Sequence, residues 1–252
     1  MQRWPDILWV VRHGESAGNL ARDAADAAGE AEIDIDIRDV DVPLSDLGEE
    51  QSRALGRWFA AMPRATRPNV VLTSPYLRAL RTAEIVQAEG GLVTGVNFNI
   101  DERLREKEFG ILDRLTRVGI ERRHAEQASF RRIHGKFYHR PPGGESWCDV
   151  ILRLRSVLDT VSLHCGRKRV LIVGHQVVVL CMRYLLENMD EKTILAIDAE
   201  GDVANCGVTE YRFESESEGS GRLALERYNF VAPLLQQGTP VTSAPDKKVA
   251  AR

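Results

Sequence analysis

Arg12-His13-Gly14-Glu15-Ser16 follows directly on the apolar run Ile7-Leu8-Trp9-Val10-Val11. The run is short and continuous, and it reads as a buried strand. Such a strand delivers an Arg-His pair at its C-terminal end. In open α/β sheets, ligands bind beyond that edge. A histidine fixed beside an arginine can accept a phosphoryl group. The guanidinium neutralises the phosphate oxygens while an imidazole nitrogen attacks phosphorus.

Two further stretches repeat the pattern. Val170-Leu171-Ile172-Val173 ends in Gly174-His175-Gln176, and Val70-Val71-Leu72 leads through Thr73-Ser74-Pro75-Tyr76-Leu77 to Arg78. A parallel sheet sets all three ends on one edge, where they can converge on one anion. Helical spacing follows each strand. Ser45 is placed to cap a helix to about Ala61, and a second helix runs from about Tyr76 to Ala88. Leu115 to Phe130 is expected to be helical. Pro141-Pro142-Gly143-Gly144 breaks the chain before a helix that opens at Glu145 or Ser146 and runs to about Cys165. Val177 to Leu186 is expected to be helical, and Phe98-Asn99-Ile100 is a weaker strand. Val208 to Phe213 and Leu223 to Tyr228 are expected to pair as a hairpin around a solvated loop, Glu214 to Gly219.

These alternating elements predict an α/β fold, a three-layer sandwich with a mostly parallel central sheet flanked by helices. A single domain is expected over residues 1–235, with lid or insert segments at about 20–43 and 112–147 and a disordered tail over 236–252. The 252 residues suffice for one such core. Hydrophobic content of 43% and charged content of 28% are those of an ordinary soluble domain, and a net charge of −3 argues against nucleic-acid binding. Too few apolar residues precede Arg12 for a signal peptide, and no run reaches membrane-spanning length. Cys148, Cys165, Cys181 and Cys206 form no C-x-x-C pair, so reduced, mostly buried thiols in a cytoplasmic protein are expected.

Arg12-His13-Gly14-Glu15-Ser16 with Asn19, Arg78-Ala79 with Thr82, Leu104-Arg105-Glu106 with Gly110, and Gly174-His175 together resemble the histidine phosphatase superfamily, the phosphoglycerate mutase-like proteins. The similarity covers roughly residues 5 to 213, in the family's motif order. The resemblance implies that His13 is the nucleophile that becomes phosphohistidine. It implies that Arg12 and Arg78 clamp the phosphoryl oxygens, that His175 donates to an equatorial oxygen and that Asn19 assists. Glu106, selected over Glu102 and Glu108 by the Leu-x-Glu-x-x-x-Gly spacing, matches the acid that protonates the leaving oxygen and then activates water. Two guanidiniums can neutralise the transferring group unaided, so no metal or cofactor is expected.

Arg140 to Trp147 followed by Asp149, together with Gln176, Lys136 and Tyr138, resemble the fructose-2,6-bisphosphatase branch. Arg117, Trp147 and Leu180 depart from it. Lys136, Arg140, Trp147, Asn19 and Gln176 are accordingly candidate substrate-binding residues. Arg122, Arg123, Arg131, Arg132, His134 and His139 make the 117–147 stretch basic, as a lid over an anionic substrate would be. The expected activity is a phosphomonoesterase acting on a small phosphorylated metabolite. A cofactor-dependent phosphoglycerate mutase is the first alternative, though Ala17-Gly18 and Phe109 depart from its pattern. A non-catalytic phospho-ligand module is the second. No nucleic-acid or membrane partner is expected. Ile33-Asp34-Ile35-Asp36-Ile37 alternates with period two, which reads as a charge-protected edge strand; a flap beside the site, or a homodimer contact, is the alternative.

Overall fold

The computed structural model describes residues 2–92, 97–217 and 220–243. Its strands are β1 (Ile7–Arg12), β2 (Val70–Thr73), β3 (Asn97–Ile100), β4 (Arg169–Gly174), β5 (Val208–Ser217) and β6 (Ser220–Phe230). Its helices are α1 (Ala17–Ala28), α2 (Asp46–Ala61), α3 (Leu77–Glu89), α4 (Arg117–Arg123), α5 (Ala125–Tyr138), α6 (Trp147–His164), α7 (Gln176–Leu186), α8 (Glu191–Glu200) and α9 (Ala232–Leu235). The strands form one sheet in the order β3-β2-β4-β1-β5-β6. β1, β2, β3 and β4 run parallel, and β5 and β6 are antiparallel.

Continuous apolar strands arise because both faces of this sheet are covered. Leu8 and Val10 of β1, with Val170 and Ile172 of β4, pack beneath α6 and α7. Ile7, Trp9 and Val11, with Leu171 and Val173, pack beneath α2 and α3. Trp9 meets Phe59 of α2 edge-to-face at 5.4 Å. The mostly parallel three-layer sandwich expected from the sequence is the observed fold. Ser45 caps α2 by accepting from Gly48 N, and Ser146 with Asp149 forms a capping box on α6.

Register delivers the three motif ends together. Arg12 pairs with Gly174 and Thr73 with Val173, so β1, β2 and β4 terminate side by side.

Four local expectations differ from the structure. The helical stretch over 115–130 is two helices, broken at His124 and kinked again at Gly135, where φ is +77°. The hairpin is longer than expected. Glu214 and Ser215 continue β5 because Glu214 faces Arg222 across the ladder, with the ions 3.5 Å apart; Glu218 and Gly219 lie outside the described residues. The Ile33–Ile37 stretch joins no sheet: Ile35 N donates to Ile33 O in a tight turn, and its neighbourhood holds a single bridge, Glu32 to Leu115. Finally, residues 236–243, expected to be disordered, turn back onto the domain. Thr239 is buried, Gln51 Nε2 donates to Pro240 O, and Asn205 N donates to Thr242 O. Those buried amides would otherwise lack partners. Residues 244–252 lie outside the described residues.

Candidate active site

The loop after β1 is held from all sides. His13 N donates to Gly174 O at 2.9 Å, which extends the β1–β4 ladder by one residue. Gly14 N donates to Thr82 Oγ1, and Thr82 Oγ1 donates to Arg78 O. A Cβ on Gly14 would stand 2.4 Å from Gly48 O, so the loop lies directly on the first turn of α2. Glu15 N donates to Gln51 Oε1, and Ser45 Oγ donates to Glu15 Oε1.

His13 is almost wholly buried, with Nδ1 2.6 Å from Gly14 O. A carbonyl only accepts, so Nδ1 carries the proton and Nε2 keeps its lone pair. Arg78 Nε donates to that Nε2 at 3.3 Å. Burial, then the charges of Arg78 and Arg12, push the His13 pKa well below 6.5, against the Gly14 bond. The ring is therefore neutral at physiological pH. His175 is fully buried with its ring 5.2 Å from that of His13. Burial first, then Arg78 and His13, hold its pKa low as well. Its Nε2 shares a 2.8 Å hydrogen bond with Ser74 Oγ, while its Nδ1 has no hydrogen-bond partner and lies 3.7 Å from Glu106 Oε2.

Arg12 Nη1 donates to Val203 O, and the Arg78 guanidinium lies over the Tyr76 ring. Arg78 also donates from Nη1 to Asp39 O at 2.6 Å and from Nη2 to Asp39 Oδ2 at 3.2 Å. The Glu106 loop is set from below. Arg153 donates to Arg103 O and Glu106 O and pairs with Glu145, which also accepts from Arg105 and Glu108 N. Burial alone would raise the Glu145 pKa, but Arg153 and Arg105 hold it below the usual carboxylate range.

One cavity brings together Arg12, His13, Asn19, Arg78, Glu106 and Gln176. His175 sits behind His13. Asn19 Oδ1 accepts from Ser16 N, and Gln176 Nε2 donates to Asp202. The same cavity is walled by Ile33, Ile35, Ile37, Val42, Phe109 and Val177, with Arg22 and Arg114. The Ile-Asp stretch is thus a flap rather than an edge strand. Its period-two pattern survives, because Ile33 and Ile35 turn inward while Asp34 and Asp36 are exposed.

A second cavity shares Arg22, Phe109, Asp113, Arg114 and Val177 with the first and reaches under α4 and α5. Lys136 and Trp147 line this second chamber, not the first. Lys136 Nζ is held by both Asp198 carboxylate oxygens. Arg140, a candidate substrate ligand, lines neither. It forms a two-pronged pair with Asp149 at the start of α6, because that capping carboxylate is the nearer anion. Arg131 and His139 do line the second cavity, whereas Arg123 pairs with Glu32 of the flap segment. Burial, then Arg131 and Lys107, lowers the His139 pKa to about 4.

The sequence reading missed several supports. Ser74, on His175, lies within a stretch already singled out. Asp39 is hidden in an acidic stripe. Asn205 donates to His13 O and pairs with Thr242, 37 positions away, a contact no local pattern signals. The four thiols are free. Among the described residues no group of three or more His, Cys, Asp or Glu side chains is arranged to hold a metal ion, and no helix is long and apolar enough to cross a membrane.

Comparison with known proteins identifies the family and the fold. Residues 8–225 match the model of the histidine phosphatase superfamily (branch 1). A probable phosphoglycerate mutase GpmB of Photorhabdus laumondii is 29% identical over 177 residues, covering 69% of this chain and 72% of the relative. The 6-phosphofructo-2-kinase/fructose-2,6-bisphosphatase of Gallus gallus is 28% identical over 75% of this chain, which spans only 34% of that protein. Among solved structures, a mycobacterial glucosyl-3-phosphoglycerate phosphatase with bound VO3 superposes with a TM-score of 0.64 at 22% identity, over 89% of this chain and 99% of that one. A putative alpha-ribazole-5'-P phosphatase from Escherichia coli does so with a TM-score of 0.68 at 19% identity, over 90% and 98%. With the family model spanning most of its length, this chain belongs to the histidine phosphatase superfamily, branch 1.

Proposed function

We propose that the protein is a phosphomonoesterase that hydrolyses a small phosphorylated metabolite through a phosphohistidine on His13. The observation that carries this reading is the state of His13. Its Nδ1 proton is committed to Gly14 O, and its neutral Nε2 lies beside the Arg78 guanidinium. A neutral imidazole nitrogen is a competent nucleophile, and flanking guanidiniums neutralise the charge of the transferring group.

In the first step Nε2 attacks phosphorus and the bond to the leaving oxygen breaks. Glu106 gives that oxygen its proton, since an alkoxide leaves poorly. Arg12 and Arg78 hold the phosphoryl oxygens. The role proposed for His175 is donation to the same group from Nδ1, which has no hydrogen-bond partner, while Ser74 is bonded to the other nitrogen. In the second step Glu106 takes a proton from water, water attacks phosphorus, and the N–P bond breaks to release phosphate and neutral His13. Arg12, His13, Arg78, Glu106 and His175 are the proposed catalytic residues, with Asn19 and Gln176 at the margin of the phosphate corner. Lys136 and Trp147 belong to the wall of the adjoining chamber.

A screen of phosphate release from phosphorylated sugars, glycerates, nucleotides and aryl esters tests the activity. Rapid acid-free denaturation and mass spectrometry test the intermediate. Phosphate release that disappears in His13→Ala, with a transient +80 Da species (about 80 Da, the mass of one phosphoryl group) on His13, is the expected result. Conversion of 3-phosphoglycerate without phosphate release would instead identify a mutase, and undiminished biological activity of His13→Ala a binding module.

A further inference from the structure

Residues 33–41 belong to none of the motifs that build the phosphate corner, yet they close over it. Ile33 N donates to Arg114 O, and Arg114 Nη1 donates to Ile35 O, so the segment is anchored along the 112–116 loop. Ile33, Ile35 and Ile37 line the same cavity as His13, and Ile37 is 44% exposed there. Asp39 then engages both Nη groups of Arg78, through its backbone oxygen at 2.6 Å and its carboxylate at 3.0 and 3.2 Å. Nε of the same guanidinium faces His13. A phosphoryl group brought to His13 Nε2 draws on the same guanidinium charge. A carboxylate and a phosphate dianion repel at that range, so the two compete for one guanidinium.

We propose that residues 33–39 form a specificity flap: the substrate phosphoryl group displaces Asp39 from Arg78, and the Ile33-Ile35-Ile37 face packs on an apolar alcohol moiety, aromatic or aliphatic. The inference rests on the phosphomonoesterase reading and narrows it. Isoleucine side chains offer no donor or acceptor, so sugar or glycerate hydroxyls turned toward them would lose water without replacement. An aryl or alkyl body gains from the same contact. Arg22, at the same wall, is compatible with an anionic substituent on that body.

The test compares wild type, the triple variant Ile33→Thr/Ile35→Thr/Ile37→Thr and Asp39→Asn. The probes are 1-naphthyl phosphate, glycerol 3-phosphate and inorganic phosphate. Wild type is expected to prefer naphthyl phosphate in kcat/KM, and the triple variant to lose about tenfold of that preference, mainly through KM. Asp39→Asn keeps the side-chain volume without the charge, so inorganic phosphate should bind several-fold tighter by calorimetry. An unchanged substrate ratio in the triple variant, or phosphate affinity unchanged or weaker in Asp39→Asn, overturns the flap. If wild type turns over no monoester, the phosphatase reading fails, and calorimetric affinities for the two esters supply the ratio instead. If the triple variant does not fold, the phosphate affinity of Asp39→Asn decides alone.

Discussion

Removing residues 239–252 is predicted to weaken both the fold and the catalytic loop, although it touches no motif residue. Thr242 and Pro240 make four hydrogen bonds to two fully buried amide side chains and one buried backbone group. Gln51 Nε2 donates to Pro240 O at 3.0 Å and to Thr242 Oγ1 at 2.9 Å. Asn205 N donates to Thr242 O at 2.8 Å, and Thr242 Oγ1 donates to Asn205 Oδ1 at 3.1 Å. At about 1 kcal/mol net each, and with water replacing some of them, the loss comes to about 2–4 kcal/mol, or roughly 5–10 °C in Tm. The effect reaches the site because Asn205 Nδ2 donates to His13 O and Gln51 Oε1 accepts from Glu15 N. Urea denaturation followed by fluorescence measures the first quantity, and kcat on an aryl phosphate measures the second. Thr242→Val in the full chain removes the hydroxyl's bonds alone and should lose about 1–2 kcal/mol. A truncated protein with unchanged midpoint and unchanged kcat would refute the bracing role of this segment.

Arg78→Lys should lower kcat/KM by about 10²–10³-fold, because one ammonium cannot serve His13 Nε2 and two phosphoryl oxygens at once; near-normal steady-state kinetics would count against the clamp. Ser74→Ala leaves both His175 nitrogens without a protein partner and should cost about 1–3 kcal/mol in chemical denaturation, with kcat falling more than KM changes. Acid should destabilise the fold. His13, His175 and His139 all have depressed pKa values in the folded protein, the last at about 4. Below the ordinary value of 6.5, the unfolded chain takes up protons that the folded rings refuse, so stability rises with pH across that window and falls as pH drops toward 4. Thermal melts at pH 7 and pH 5 read this, and His139→Gln should flatten the slope, whereas a Tm indifferent to pH in that interval would contradict the buried, neutral rings.

Much of the phosphate corner was legible in the chain itself. Apolar runs too continuous for a one-faced sheet announced strands covered on both sides, and parallel pairing alone then sets Arg12, Ser74 and His175 on one edge. Caps at Ser45 and Ser146 were readable because their bonds span three residues. The resemblance supplied the roles proposed for His13, Arg78, Glu106 and His175. Features built from distant partners were not legible. The break at His124 and the kink at Gly135 interrupt a stretch whose spacing alone suggests helix.

Which face of an alternating segment meets protein is likewise undecided by period two alone. The Ile33–Ile37 pattern read first as a solvent-edge strand and second as a cavity flap, and the bonds to Arg114, 79 positions from Ile35, chose the flap. Arg140 carried a plausible charge for a phosphate, but charge says nothing of distance, and Asp149 takes it. The amino-acid sequence determined the sheet, its edge and the residue types gathered there, because these depend on short-range periodicity and residue chemistry. The protonation of His13, the seating of Asp39 on Arg78 and the brace from Thr242 were decided by tertiary structure, because burial and long-range hydrogen bonds exist once remote segments are packed together.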